Sequence, residues 1–312
     1  MSDATDYTSA LVEGPWRHEF VPANGSRFHV ASAGPARTHG DQPPLVLLLH
    51  GFPEMWWAWR HQLTALSDAG LCVAAMDVRG VGASDKPPSG YDVPTRTRDV
   101  AGVVRSLGHD RAVVVGSGTG GVLAWAMAAM QPAVTAGVAA LAAPHPLRLH
   151  VPGRRLVTPA AKRLLALYQV PSLPERRLTQ GTGVADVLAA GAHRTLAAEV
   201  VERYRDVMRI PFVAHSGAES LRWLTRCAVR TDGRRYLHAL RNPIGVPVLQ
   251  VHGAHDGFLR QQDADVDGSA LARDFRFEVV QDAGHYLPEE APDAVNELLL
   301  DWLGATLGIG AA

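Results

Sequence analysis

The chain has 312 residues, 47% hydrophobic and 20% charged, a balance that suits one large α/β domain with an insertion, or two domains. A formal net charge of −1 gives no general attraction to nucleic acid or to an anionic membrane. Only Cys72 and Cys227 are present, far apart and in apolar surroundings, which argues against a disulfide scaffold or a zinc site and reads as two buried thiols.

The first residues, MSDATDYTSALVEGP, are polar and acidic, without the basic and apolar regions of a signal peptide. The stretch closest to a membrane span, Ala112 to Ala143, is broken by glycines and Pro132 and reads as strand–helix–strand, so a cytoplasmic location is expected. Residues 16–22 and 26–33 flank an Asn24-Gly25 turn and predict a β-hairpin. After a polar loop over 34–43, PLVLLLHG (44–51) is a continuous apolar run, as in a strand covered on both faces of a parallel sheet. A helix is predicted from Trp57 to Ser67, a strand over 71–78, a helix from Asp92 to Leu107 and a strand from Ala112. There the chain meets four glycines in VGSGTGG (115–121), followed at once by an apolar helical segment and a further strand over 134–142. Strand, sharp glycine turn and buried helix is the arrangement that presents either a nucleophile or a phosphate site.

From 145 to 243 the pattern is helical, with apolar residues such as Val200, Val201, Tyr204 and Met208 at helical spacing and no strand-like run. The β/α rhythm resumes at 247–253 and 275–280 and closes with a helix from Ala291 to Leu303. The organisation expected is therefore an α/β core over 1–144 and 244–312, interrupted by a helical cap over 145–243. The first part of the cap is basic, with Arg148, Arg154, Arg155, Lys162, Arg163, Arg176 and Arg177 against Glu175. It reads as a solvated face, with an anionic ligand or peripheral membrane contact as the alternative.

Three loops fit one another chemically. His50-Gly51-Phe52-Pro53-Glu54 follows a buried strand and offers backbone N–H groups to a developing oxyanion. Gly253-Ala254-His255-Asp256 and Asp282-Ala283-Gly284-His285 also lie at strand ends, and in a parallel sheet all of these share the carboxyl edge. An aspartate there can orient a histidine and stabilise its imidazolium. The order elbow, acid, histidine is more specific than any one loop.

HGFPEMWWAWRHQ (50–62), MDVRGVGASDKP (76–87), VGSGTGG (115–121), VLQVHGAHD (248–256) and DAGHYLPEEAP (282–292) together resemble the α/β-hydrolase superfamily, most closely its epoxide hydrolase branch, with haloalkane dehalogenases next. The resemblance implies an α/β-hydrolase fold with an all-helical cap and no cofactor or metal. It implies a small or medium apolar substrate, no nucleic acid partner, and a monomer or homodimer. It implies His285 as general base, Asp256 as the carboxylate that orients it, and the N–H groups of Phe52 and Thr119 as the oxyanion hole. His50, Trp56 and Trp57 are the expected pocket residues. In that branch an elbow aspartate opens the epoxide to give an ester, which water then hydrolyses, and two cap tyrosines hold the epoxide oxygen. Tyr168 matches the first tyrosine, whereas Leu221 or Leu224 stands where the second is expected. Tyr204 and Tyr236 have no motif to place them.

The elbow itself departs from the family pattern. Gly118 occupies the nucleophile position, so the covalent step has no side chain to run on. Ser117 is expected to point away from the cleft by strand alternation, and Thr119 starts from the first turn of a helix. Three readings follow: an epoxide-hydrolase-like protein with impaired covalent chemistry, a ligand-binding pseudoenzyme, or an ester or lactone hydrolase in which His285 activates water directly. The run Gly116-x-Gly118-x-x-Gly121 also satisfies a dinucleotide fingerprint. No Asp or Glu occurs between Asp110 and Glu175, where the ribose-binding acid of that fingerprint is required.

Overall fold

The computed structural model describes residues 5–35, 45–150, 156–264 and 268–307. Eight strands form one sheet: β1 (Arg17–Ala23), β2 (Ser26–Ala33), β3 (Leu45–Leu49), β4 (Val73–Met76), β5 (Ala112–Ser117), β6 (Thr135–Leu141), β7 (Val248–Gly253) and β8 (Phe275–Val280). Their spatial order is β1-β2-β4-β3-β5-β6-β7-β8. The β1–β2 hairpin turns at Asn24-Gly25, β2 pairs antiparallel with β4, and every later pairing is parallel. The uninterrupted apolar runs have the expected cause: all five residues of β3 and all six of β5 and β7 are buried, because helices cover both faces of the sheet.

Helices α1 (Arg60–Asp68), α2 (Val93–Ser106) and α3 (Thr119–Met130) belong to the core, with a short 3₁₀ turn at Trp56–Trp59 ahead of α1. Between β6 and β7 lie α4 (Pro146–Leu149), α5 (Pro159–Leu167), α6 (Leu173–Gln180), α7 (Gly183–Gly191), α8 (Ala198–Arg209), α9 (Val213–Arg226) and α10 (Thr231–Ala239). After β7 come α11 (Gly268–Leu271), then α12 (Leu287–Glu290) and α13 (Pro292–Leu307) beyond β8. Cap side chains such as Tyr204, Met208, Trp223 and Tyr236 belong to the same buried apolar cluster as the sheet, so the helical insertion shares one continuous core with it.

Helix α3 runs unusually close to the sheet. A Cβ on Gly120 would sit 2.1 Å from the Leu49 carbonyl oxygen, so only glycine lets the helix start against β3. The cap is fastened by charge as well as by packing. Arg222 on α9 donates to the Tyr168 and Val170 carbonyls and pairs with Glu175 at 2.7 Å, tying α9 to the α5–α6 connection. Arg60 pairs with Glu289 through both guanidinium nitrogens at 2.7 and 2.8 Å, and the Tyr204 hydroxyl of α8 donates to the same carboxylate.

The basic stretch of the cap is not one face. Arg148 is buried and donates to the Asp263 carbonyl, whereas Lys162, Arg163, Arg176 and Arg177 lie toward solvent, Arg177 pairing with Asp186. Arg154, Arg155 and most of the 34–43 loop lie outside the described residues. Cys227 is buried and Cys72 half-buried, and neither forms a disulfide. Among the described residues no helix is long and apolar enough to cross a membrane, and no group of His, Cys, Asp or Glu is placed to hold a metal ion.

Candidate active site

Because β3, β5, β7 and β8 run parallel, the loops that follow them gather at one edge of the sheet. That edge brings together Phe52 from the loop after β3, Gly118 from the turn after β5, Asp256 after β7 and His285 after β8. Gly118 has φ +52° and ψ −116°, a conformation that side-chain-bearing residues adopt only under strain. The sharp turn aims its Cα at His285: a Cβ on Gly118 would lie 3.0 Å from the His285 Nε2 atom and 3.9 Å from the Gly51 Cα.

His285 Nδ1 is 2.9 Å from Asp256 Oδ2. The other oxygen of Asp256 accepts the N–H groups of Phe258 and Leu259 at 2.7 and 3.0 Å, which fixes the carboxylate and directs its remaining acceptor at the imidazole. Nδ1 therefore carries the proton and Nε2 is presented to the cavity. Burial works against a charged imidazole here. The carboxylate of Asp256 and its hydrogen bond outweigh that cost, and the His285 pKa is raised above its ordinary value. Burial also works against the Asp256 carboxylate, but the His285 charge and the hydrogen bonds overcome it and hold Asp256 below the usual carboxylate range.

Two carboxylates beside these loops had no individual role in the sequence pattern. Glu290 accepts from the backbone N–H groups of His193, Gly284 and Tyr286 at 2.7, 3.0 and 3.0 Å, cinching the loop that carries His285 and tying it to the end of α7. Glu54 is buried, with one oxygen accepting the Gly51 N–H at 3.2 Å and the other without a partner among the described residues. Burial, reinforced by the neighbouring Glu289, raises its pKa to about 8, so it is a neutral acid at pH 7. Their signal was present as Glu54 in HGFPE and as Glu290 in HYLPEE, but sequence spacing does not reveal burial.

The raised pKa of Glu54 sets a stability prediction. Between the ordinary value of 4.5 and about 8, an unfolded chain has released this proton while the folded chain keeps it, so stability falls as pH rises through that window. Glu54→Gln keeps the acceptor for Gly51 and removes the ionisation. Denaturant unfolding is expected to find the variant close to the parent at pH 5 and about 4 kcal/mol more stable at pH 9.

A cavity of about 320 Å³ opens above His285 and is enclosed by the cap. Phe52, Gly118, Thr119 and His285 contribute to its lining on the core side, with Val122, Pro144 and Phe258. The cap contributes Leu149, Val157, Leu164, Leu165, Val187, Leu221, Leu224 and Tyr236. The Phe52 N–H has no acceptor among the described residues, and the Thr119 N–H opens α3, where no intrahelical acceptor exists. Ser117 is buried and takes no part in the lining.

Several expected pocket residues lie elsewhere. His50 is buried behind the loop, where Nδ1 bonds the Gly51 carbonyl and Nε2 accepts the Val78 N–H, so it braces the turn. Trp56 packs against Trp16, His18 and His29, with its indole N–H on the Ala10 carbonyl. Trp57 stacks under Arg60 near Tyr204. None of the three lines the cavity. Tyr168 is buried edge-on against Phe52, with ring centroids 5.5 Å apart, and is likewise outside the lining. Leu164 faces the cavity one turn earlier on α5, and the cap tyrosine that does line it is Tyr236. Its hydroxyl is buried without a partner among the described residues. Both Leu221 and Leu224 present apolar side chains to the cavity.

A doubly wound parallel sheet with a glycine turn, an Asp–His pair on later strands and a helical cap between β6 and β7 defines a hydrolase-type scaffold. A family model described as alpha/beta hydrolase fold matches residues 44–292, and the chain belongs to that family, in its epoxide hydrolase-like branch. The chain is 31% identical to the AB hydrolase superfamily protein YfhM of Bacillus subtilis (strain 168), over 91% of this chain and 97% of that protein. It is also 31% identical to epoxide hydrolase 3 of Xenopus tropicalis, over 90% of this chain and 75% of that protein. Its fold is similar to the crystal structure of Cfl2 from Burkholderia cenocepacia, with a TM-score of 0.79 and 24% identity over 93% of this chain and 96% of that one.

Proposed function

We propose that this epoxide hydrolase-like protein is a one-step hydrolase of small or medium apolar esters or lactones, in which His285 activates water without a covalent intermediate. The observation that carries the reading is the 3.0 Å between His285 Nε2 and the position a Cβ would take on Gly118. Where the side chain is missing, a water molecule fits between the base and the substrate. Nε2 takes a proton as the water oxygen attacks the carbonyl carbon. The carbonyl oxygen becomes an oxyanion facing the Phe52 and Thr119 N–H groups. Collapse of the tetrahedral intermediate expels the alkoxide, which takes the proton back from Nε2, leaving a carboxylic acid and an alcohol. Asp256 holds the imidazole in the required tautomer and stabilises its charge.

Esters are favoured over epoxides by the cap. An epoxide oxygen needs acids to receive it as the ring opens, and Leu221 and Leu224 supply none where the resemblance places the second tyrosine, which leaves Tyr236 as the cap phenol in the lining among the described residues. Ligand binding without turnover is the second reading, favoured by the absence of a side chain at Gly118. A panel of medium-chain and aryl esters and lactones, assayed with the unaltered protein and with His285→Ala, separates the two. Turnover that depends on His285 supports the hydrolase; binding with no His285-dependent rate supports the pseudoenzyme.

A further inference from the structure

The space over Gly118 is bordered by two N–H donors and by a histidine nitrogen that becomes a donor when the imidazole is protonated. Among the described residues the Phe52 and Thr119 N–H groups have no intramolecular partners, and His285 Nε2 forms no hydrogen bond within the protein. No Asp or Glu among the described residues contributes to the cavity lining, so no carboxylate there repels an anion, and the start of the 12-residue helix α3 adds its positive dipole end. The remaining wall is mostly hydrocarbon, with Leu149, Leu164, Leu165, Leu221, Leu224 and Phe258 among its side chains, and His150, Thr225 and Tyr236 as its polar members.

We propose that the space over Gly118 is a carboxylate subsite, and that the cavity takes an apolar carboxylic acid with its head on His285 and its tail under the cap. The inference rests on the assignment of His285 and the cavity as the functional site, and it names the ligand class that the hydrolase reading generates as product. One carboxylate oxygen sits where the missing side chain would be, within hydrogen-bond reach of a protonated Nε2, and the other meets the Phe52 and Thr119 N–H groups. Charge-assisted bonds of this kind offset the cost of desolvating the anion, which an apolar cavity would otherwise reject. The tail replaces water against the leucines. Bound in this way, the acid occupies the position of the hydrolytic water and inhibits turnover competitively.

Calorimetric titration of the unaltered protein at pH 6.5 with a series from butyrate to dodecanoate, and with 4-phenylbutyrate, tests the subsite against the matched primary amides. The acid is expected to bind at least about tenfold tighter than its amide. Gly118→Asp, which fills the space with a negative charge, is expected to weaken the acid at least about tenfold and the amide less than about threefold. If that variant does not fold, His285→Gln carries the test with the same expected pattern. Equal affinity for acid and amide, no binding by any acid in the series, or an unchanged acid affinity in the folded variants overturns the inference. Absence of acid binding alongside His285-dependent ester turnover refutes the subsite and leaves the hydrolase standing. Acid binding without any turnover refutes the hydrolase and leaves the subsite.

Discussion

Replacing His285 by alanine is expected to lower kcat/KM on the best ester by roughly 10²- to 10⁴-fold, the range that a positioned general base contributes. The magnitude follows from the proposed mechanism, in which His285 is the oriented base and Gly118 supplies no nucleophile. Gly118 offers no second route to the carbonyl, and Glu54, a nearby carboxyl group without a full set of partners among the described residues, is protonated at neutral pH and accepts no proton. The same chemistry fixes a pH profile. The base works as neutral imidazole, and Asp256 holds the His285 pKa above its ordinary value against the opposing effect of burial. The rate of the parent should therefore rise with pH through a midpoint above 6.5, and the alanine variant should lose that midpoint along with the rate. Circular dichroism checks that the variant folds. An alanine variant within about threefold of the parent would mean that His285 is structural and that hydrolysis, if present, runs elsewhere.

Gly118→Asp carries the second large effect. The substitution places a carboxylate at a φ of +52°, which costs on the order of 1–3 kcal/mol in backbone strain, and sets it against His285, which must shift by a few tenths of an ångström. A charged pair with the imidazolium offsets part of that cost. The expected result is a folded protein that reacts with styrene oxide to give a covalent hydroxyalkyl ester on the introduced carboxylate, visible by intact-mass spectrometry, at a rate at least about tenfold above the parent. Turnover should stay slow at the ring-opening step, because Leu221 and Leu224 give the epoxide oxygen no acid where the resemblance places the second tyrosine. Efficient turnover would show that another cap group, with Tyr236 the first to examine, supplies the proton. No adduct in a folded variant would show that the cavity does not present epoxides to the elbow.

Much of this architecture was legible in the sequence because its causes are local. Buried parallel strands produce uninterrupted apolar runs such as LVLLL, and the elbow needs glycine at fixed offsets because α3 starts against the Leu49 carbonyl. The Asp256–His285 pair was readable because each residue sits at a strand end, and the parallel topology brings such ends together. The cavity wall was less legible. A cap helix buries one apolar stripe, and periodicity does not say which residues of that stripe meet solvent space, sheet or cavity. Tyr168 and Leu164 stand one turn apart on the same segment, and packing against Phe52 draws the tyrosine out of the cavity. Trp56 and Trp57 follow the loop after β3 in sequence, yet the 3₁₀ turn that begins at Trp56 carries them toward the hairpin and toward α8. The neutral state of Glu54 was invisible for a different reason, since it depends on burial beside Glu289, a residue more than two hundred positions away.

Hydrolysis without a bond between substrate and protein is the step on which the proposed mechanism depends most. Intact-mass spectrometry of the unaltered protein, acid-quenched at millisecond intervals during turnover of its best ester, tests this directly. The predicted result is the mass of the free chain at every interval while acid and alcohol accumulate. A transient increase equal to the acyl group, mapped to Thr119, Ser117 or any other side chain, would contradict it and place a nucleophile where the structure gives none at Gly118.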